Sequence, residues 1–432
     1  MHREYYTISP SEFLIENRTE FGDNVRYDLI PSKVCTGCPS CGSLNFIKHG
    51  VSNRKVRDLS EYGKRVGLVI KVHRYLCKDC SASWTDTFET VGENAKMTNR
   101  MKVSIQERAL KETFLHISED LSVSVSTVKR VFSEHVKALD SQRRLVAPRV
   151  LGMDENFLNG AYRAIYVDIE HTRIIDMTED RKLTTVKKWL EELPHKERIE
   201  CVTIDMWGSY KDAVLDKLPD VPIVIDKFHV VKHVNEALDS IRKGLRDALP
   251  AKDRKFIKNN RWLLLRNSED LDYSAQKRLN NLLINYPQFA EPHLLKEQFR
   301  IIYREESRAD AEKLFNNWEQ AARKYPAFAT VADMIRNWHT EIFNYFDYKY
   351  TNAATESLNH LAKEIAARGR GYSFDVLRMK VLYGTKGSKP SKYEYYPSDP
   401  DATVQEGIPD NVVAGSGADI AELLVAVKDE NF

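Results

Sequence analysis

"RVLGMDENFLNGAYRAIYVDIEHTRIIDMTED", from Arg149 to Asp180, decides the fold. Its β-branched and aromatic runs are separated by short turn signals and read as three consecutive antiparallel strands. Downstream, "TTVKKWLEEL" is an amphipathic helix opened by Thr184 or Thr185, and "IECVTIDMWGSY" and "VPIVIDKFHVVKHV" each give a strand followed by a helix.

The order is therefore βββαβαβα: a mixed sheet flanked by helices, the element order of an RNase H-like fold. Asp154 falls inside the first strand, Asp205 at the end of the fourth and Asp226 at the end of the fifth. Functional side chains converge at strand ends in such sheets. Carboxylates placed after apolar runs such as "CVTI" and "PIVI" are costly to bury without partners, and metal coordination is one way to satisfy them. The competing reading is helix capping, because Asp205 and Asp226 each precede a helix. A strand-internal Asp154 is not explained that way.

Around this core the chain is long. At 432 residues it suggests two to four domains, on a prior of about 100–200 residues each. With 42% hydrophobic and 30% charged residues and no apolar run of roughly 18–20, a soluble protein is expected. The start "MHREYYTISPSEF" has no apolar signal region, so export is not expected. The formal net charge of +2 hides a polarised distribution. Between Cys41 and Cys77 lie eight Lys/Arg against Asp58 and Glu61, whereas Glu394 to Phe432 carries nine Asp/Glu against Lys428. A basic front of that kind points to nucleic acid.

Five of six cysteines lie in the first 80 residues, in "CTGCPSCG" and "YLCKDCSASW". The knuckles Cys38/Cys41 and Cys77/Cys80 give four thiolates for tetrahedral Zn²⁺. The 36 positions between Cys41 and Cys77 suit a β-hairpin whose returning strand is "LVIKVHRYLC". Cys35 competes with Cys41 as a ligand, disulfides or reduced thiols are the alternatives, and Cys201 packs inside a strand. From Lys96 to Leu139 the pattern is helical. "ISEDLSVSVSTVKRVFSEHV" reads as helix, turn, helix, with Ser124 or Ser126 capping a helix that carries Ser126, Thr127, Lys129 and Arg130 toward DNA. A packing or dimerisation hairpin is the plainer alternative.

The runs "VLGMDENF", "TIDMWGSY", "IDKFHVVKHV" and "TNAATESLNHLAKEIAARGRGY" resemble the catalytic core of the DDE transposases of bacterial insertion sequences, the ISL-three family. The ribbon and helix-turn-helix precede the core in that family's order. The resemblance implies Asp154, Asp205 and Glu356 as catalytic acids holding Mg²⁺ (or Mn²⁺), and "DKFH" implies that Asp226 and His229 support them. It also implies an all-helical insertion between Asp205 and Glu356, 151 positions apart, in which Trp262 and Leu263 to Leu265 read as core.

A helical wheel through Glu356 puts Ala354, Leu358, Leu361 and Ile365 on one stripe. Glu356 lies nearly opposite, with Asn352, Asn359 and Lys363. Taken alone the wheel describes a solvated charge. Beside the two aspartates, Asn352 and Asn359 form a polar face able to orient a carboxylate and to hydrogen-bond DNA. Beyond it, Lys363, Arg368, Arg370, Arg378 and Lys380 extend a basic strip along a phosphate backbone, with Tyr372 available to stack. Each is equally readable as a helix surface.

The expected units are an N-terminal segment (1–30), zinc ribbon (31–92), helix-turn-helix (95–145), first core part (149–232), helical insertion (233–350), last core helix (351–385) and an acidic, mostly disordered tail (386–432) in which "DIAELLVAV" is a candidate short helix. The expected function is a DNA transposase. It would bind the terminal inverted repeats of its element, cut and join double-stranded DNA, act as a dimer in synapsis, and work in the bacterial cytoplasm at the nucleoid, away from any membrane. A catalytically inactive or domesticated DNA-binding regulator and an RNase H-like nuclease are the rivals.

Overall fold

The computed structural model describes residues 12–33 and 35–384, so the expected acidic tail and its short helix lie outside the described residues. The front is a five-stranded sheet built from β1 (Phe13–Phe21), β2 (Asn24–Pro31), β3 (Phe46–Glu61), β4 (Lys64–Cys77) and β5 (Ser83–Thr85). Its order is β1-β2-β4-β3, with β5 also pairing β4. The segments Phe13–Phe21 and Asn24–Pro31 are thus part of the ribbon's sheet. Asn24 to Leu29 pair in parallel with Arg65 to Ile70, and alternate residues Val25, Tyr27 and Leu29 bury against Val66, Leu68 and Ile70.

Three helices follow: α1 (Asn99–Lys111), α2 (Phe114–Asp120) and α3 (Val125–Gln142), packed around Met101, Ile105, Phe114, Val128 and Phe132. Ser124 caps α3 by accepting from the Thr127 N–H at 3.2 Å. Asp58 on β3, 3% exposed, joins ribbon to helices. It accepts from Thr98 Oγ1 at 2.7 Å and from Arg100 Nε at 2.8 Å at the start of α1.

The second sheet contains β6 (Val150–Leu158), β7 (Ala161–Asp168), β8 (Arg173–Met177), β9 (Cys201–Ile204) and β10 (Ile223–Ile225), ordered β10-β9-β6-β7-β8. The β6–β7–β8 pairs are antiparallel, and β6–β9 and β9–β10 are parallel. Between β6 and β7, Asn159 and Gly160 both take positive φ, the geometry that a two-residue hairpin turn requires. The connections are α4 (Leu183–Glu192) and α5 (Gly208–Lys217), and β10 leads into α6 (Lys227–Asp247). Neither Thr184 nor Thr185 caps α4; its N-cap is Lys182, and Thr185 bonds Asp180 instead.

Helices α7 (Ala251–Asn259), α8 (Arg261–Leu265), α9 (Tyr273–Asn285), α10 (Ala290–Ile302), α11 (Arg308–Ala322), α12 (Pro326–Asn337) and α13 (His339–Tyr348) form an all-helical block. It shares one continuous core with the sheet, and Asn344 of α13 bonds the Ile223 carbonyl at 2.8 Å. Leu263 and Leu264 are buried, and Trp262 packs beside Arg266 and Arg278.

Where one closing helix was expected, there are two: α14 (Ala353–Gly369) and α15 (Phe374–Gly384), broken at Arg370 and Gly371, both with positive φ. The buried stripe of α14 is Thr355, Asn359, Ala362 and Ala366, one position round from the apolar stripe that the wheel selects. The reason is steric. Gly152 on β6 has no side chain, and a Cβ there would meet Thr355 Oγ1 at 2.8 Å, so only a slim helix face fits against this strand.

α15 overturns part of the basic strip. Lys380 is 1% exposed, donates to the carbonyls of Ala109 and Glu112, and lies 4.7 Å from the Phe114 ring centre. Arg378 pairs with Asp176 at 2.8 Å, and Tyr372 packs on Phe114 at 5.5 Å. Lys380 and Tyr372 hold this end of the chain against the helical module and Arg378 holds α15 to β8, so all three are engaged within the fold. Lys380→Met keeps the bulk but strands two helix-end carbonyls. It is expected to cost about 2–4 kcal/mol in chemical denaturation, since each orphaned buried group costs roughly 1–3 kcal/mol; an unchanged midpoint would refute this role.

Candidate functional site

The strand register builds the site. Gly152 is level with Thr203, and Thr203 with Val224, across three parallel neighbouring strands. Two residues further along each strand direction lie Asp154, Asp205 and Asp226, so the alternation of side chains turns all three to the face covered by α14. Asp205 does not cap α5, whose N-cap is Trp207 with no side-chain hydrogen bond. Asp226 does cap α6, accepting from the Phe228 N–H at 3.3 Å. Capping therefore accounts for one of the two carboxylates, and for only one of its oxygens.

Asp154 is 6% exposed and held at both oxygens, by the Glu155 N–H at 2.7 Å and by Asn359 Nδ2 at 2.6 Å. Asn359 is fixed in turn, because Asn156 Nδ2 donates to its carbonyl at 2.7 Å. Asn352 is wholly buried and accepts from Thr203 Oγ1 at 3.2 Å and Thr355 Oγ1 at 2.6 Å. The two asparagines are thus enclosed and do not reach DNA as the wheel suggests. Asn359 orients Asp154 rather than Glu356. Asn359→Ala removes a charge-assisted bond of about 1.5–3 kcal/mol. Chemical denaturation of Asn359→Ala is expected to show a loss of that size, and an unchanged midpoint would refute the role of this bond.

His229, one turn into α6, lies between the acids: Nε2 is 2.9 Å from Asp205 Oδ1 and 3.6 Å from Glu356 Oε1. Burial alone works against an imidazolium, but Asp205, Asp226 and Asp154 outweigh it and raise the His229 pKa. Burial, followed by the charge of Asp205, raises Asp154. Asp226 rises mainly through burial, and Glu356 through burial and the nearby Asp226 charge. Like charges have been drawn together in a partly dry place with one imidazole ring among them.

Among the described residues, the carboxylate–imidazole trio whose ligand atoms all lie within 4.8 Å of one another is Asp226, His229 and Glu356, rather than Asp154, Asp205 and Glu356. Glu356 itself is 37% exposed and meets Asp205 through His229. Sequence reasoning missed the hydroxyl of Tyr303, the residue that caps the C-terminus of α10, buried without a hydrogen-bond partner among the described residues and pushed up by burial and by the charge of Asp226. Nothing local marks it, because the helical block brings it there.

The front carries the second cluster. Cys38, Cys41, Cys77 and Cys80 bring their sulfurs within 4.8 Å of one another. Cys38–Cys80 is 3.6 Å and Cys41–Cys77 is 3.7 Å, close to the roughly 3.8 Å edge of a tetrahedral zinc–thiolate site and far from a disulfide bond of about 2.05 Å. Cys35 stands outside the four, donating to the Gly37 carbonyl at 3.6 Å, and Cys201 is buried in β9. On α3, Ser126, Lys129 and Arg130 are exposed and Thr127 half-buried. Arg130 pairs with Glu134 at 2.7 Å. Arg368 and Arg370 are exposed at the end of α14, Arg368 beside Glu364. No described helix is long and apolar enough to cross a membrane.

A family model described as "Transposase", for the ISL3-type DDE group, matches residues 151–381. Another, described as "zinc-finger of transposase IS204/IS1001/IS1096/IS1165", matches residues 36–80. The transposase for insertion sequence element IS1001 of Bordetella parapertussis is 26% identical over 346 residues, covering 78% of this chain and 85% of that protein. The transposase for IS1557 of Mycobacterium tuberculosis is 23% identical over 301 residues, covering 62% of this chain and 67% of its own.

Proposed function

Starting from a chain that belongs to the ISL3-type DDE transposase family, we propose that it cuts and joins DNA at the ends of an insertion sequence, with Asp154, Asp205 and Glu356 as the catalytic acids. The observation that carries this reading is the row of three carboxylates under α14, Asp154 inside β6 and Asp205 and Asp226 just past β9 and β10, which costs folding energy and has no structural task large enough to offset it. We read the sheet order and closing helices as an RNase H-like core, α1 to α3 as a helix-turn-helix unit, and the block from α7 to α13 as its insertion.

The acidic row suits divalent cations. Asp205 Oδ1, Asp226 Oδ2 and His229 Nε2 are buried without a partner in hydrogen-bonding geometry among the described residues. Asp154, Asp205 and Glu356 would hold Mg²⁺ or Mn²⁺, which when bound activates an attacking oxygen and stabilises the leaving one. The chain's own part is positioning. Asn359 fixes the Asp154 carboxylate, and the β6–β9 register fixes Asp205 beside it. Water would hydrolyse a phosphodiester at the element end, and the freed 3′-hydroxyl would attack target DNA.

The zinc-bound ribbon and the exposed start of α3, with Ser126, Thr127, Lys129 and Arg130, would read the terminal repeat. Arg368 and Arg370 would contact phosphate. Two ends brought together imply at least a dimer, working at the nucleoid in the bacterial cytoplasm. Purified protein given an element-end duplex tests this. Nicking that requires Mg²⁺ or Mn²⁺, followed by joining to a second duplex, supports it; nicking without joining indicates a nuclease, and binding without nicking a regulator.

A further inference from the structure

We propose that Asp226, His229 and Glu356 form a divalent-metal position of their own, with a nitrogen ligand, beside the Asp154–Asp205 pair. The proposal rests on the metal-dependent reading above but concerns residues to which that reading gives no ligand role, Glu356 excepted.

Three observations carry it. The ligand atoms of the three residues lie within 4.8 Å of one another. Around a cation with bonds of about 2.1 Å, neighbouring ligands sit about 3.0 Å apart and opposite ones about 4.2 Å. The 3.6 Å from His229 Nε2 to Glu356 Oε1 falls between those limits, so small side-chain rotations close the site.

Second, Asp226 is 2% exposed and uses one oxygen to cap α6. The Asn352 backbone N–H favours its ionised form, yet Oδ2 has no partner in hydrogen-bonding geometry among the described residues. A buried carboxylate oxygen left that way costs more than the cap returns, unless a cation completes it.

Third, His229 Nε2 touches two carboxylates but is aligned with neither, so the ring sits where a cation's charge is wanted without making a good hydrogen bond. Asp226 and His229 are three apart at the start of α6 and so share one helix face, with Glu356 arriving from α14. A mixed oxygen and nitrogen set favours a first-row transition ion such as Mn²⁺ over Mg²⁺, which prefers oxygen alone.

Mn²⁺ titration of the full-length, zinc-loaded protein without DNA, read by electron paramagnetic resonance with pulsed detection of ¹⁴N coupling, tests the proposal. The wild type is expected to bind Mn²⁺ with a histidine nitrogen signal. His229→Gln should lose that signal and weaken binding at least 10-fold. Glu356→Gln should weaken binding similarly while retaining the nitrogen coupling, and thermal melting checks that both variants are folded. Asp154→Asn should keep the nitrogen coupling, because it alters the neighbouring pair. Absence of the coupling in wild type, or its persistence in folded His229→Gln, overturns the position even if DNA nicking proves metal-dependent. Conversely, a nitrogen-coupled ion in a protein that nicks no DNA would uphold the position and refute the transposase chemistry.

Discussion

Asp205→Asn is expected to lower metal-dependent nicking of an element-end duplex by on the order of 10³-fold or more, leaving duplex affinity and folding intact. The side chain leaves β9 just past Ile204, where the register sets it beside Asp154 and Asp226, and His229 Nε2 lies 2.9 Å from its Oδ1. An amide there keeps the shape but loses the charge on which cation binding depends. Asp212→Asn on the exposed side of α5 removes the same charge away from the site, and its rate is expected within about twofold of wild type. The measurement is single-turnover cleavage in Mg²⁺ and in Mn²⁺. Nicking by Asp205→Asn at more than about a tenth of the wild-type rate would remove the acidic row from the chemistry.

Loss of the zinc site should be the largest change in stability. Cys38 and Cys77 are 3% and 1% exposed, and Cys77 ends β4 opposite Phe46, so the knuckles close the far end of the long hairpin. In small zinc modules the metal contributes roughly 10–16 kcal/mol to folding. The ribbon keeps its own core of Val25, Tyr27, Leu29, Val56, Leu68 and Ile70 at the other end. Cys77→Ser is therefore expected to release the ribbon's zinc and melt the knuckle end around Phe46, Tyr75 and Trp84, without unfolding the sheet of β6 to β10. Duplex affinity should fall about 10- to 100-fold. Zinc released per chain and duplex binding are the two readouts. Full zinc content or undiminished binding in Cys77→Ser would contradict the assignment.

Much of the site was legible because its signals are local. Asp154 interrupts an alternating strand, Asp205 and Asp226 follow short apolar runs, and the cysteine spacing names its own geometry. The wheel through Glu356 failed for a physical reason. It ranks faces by hydrophobicity, but α14 docks through Thr355, Asn359 and Ala362 because Gly152 and a buried carboxylate lie opposite. Lys380 and Tyr372 misled for a related reason. A basic residue reads as solvated until a distant helix end supplies the carbonyls that enclose it, as Ala109 and Glu112 do for Lys380.

By itself the sequence determined the βββαβαβα order of the second sheet and its helices, the positions of Asp154, Asp205 and Asp226 along it, and the Cys77/Cys80 knuckle with Cys38 facing a choice of Cys35 or Cys41, because alternation, turn chemistry and short spacings act over a few residues. Only the tertiary structure decided that Asn359 grips Asp154 across 205 positions, that Asp226, His229 and Glu356 bring ligand atoms within 4.8 Å of one another, and that β1 and β2 complete the ribbon's sheet. Those outcomes depend on strand register and helix docking, which are set by the summed packing of segments far apart in the chain.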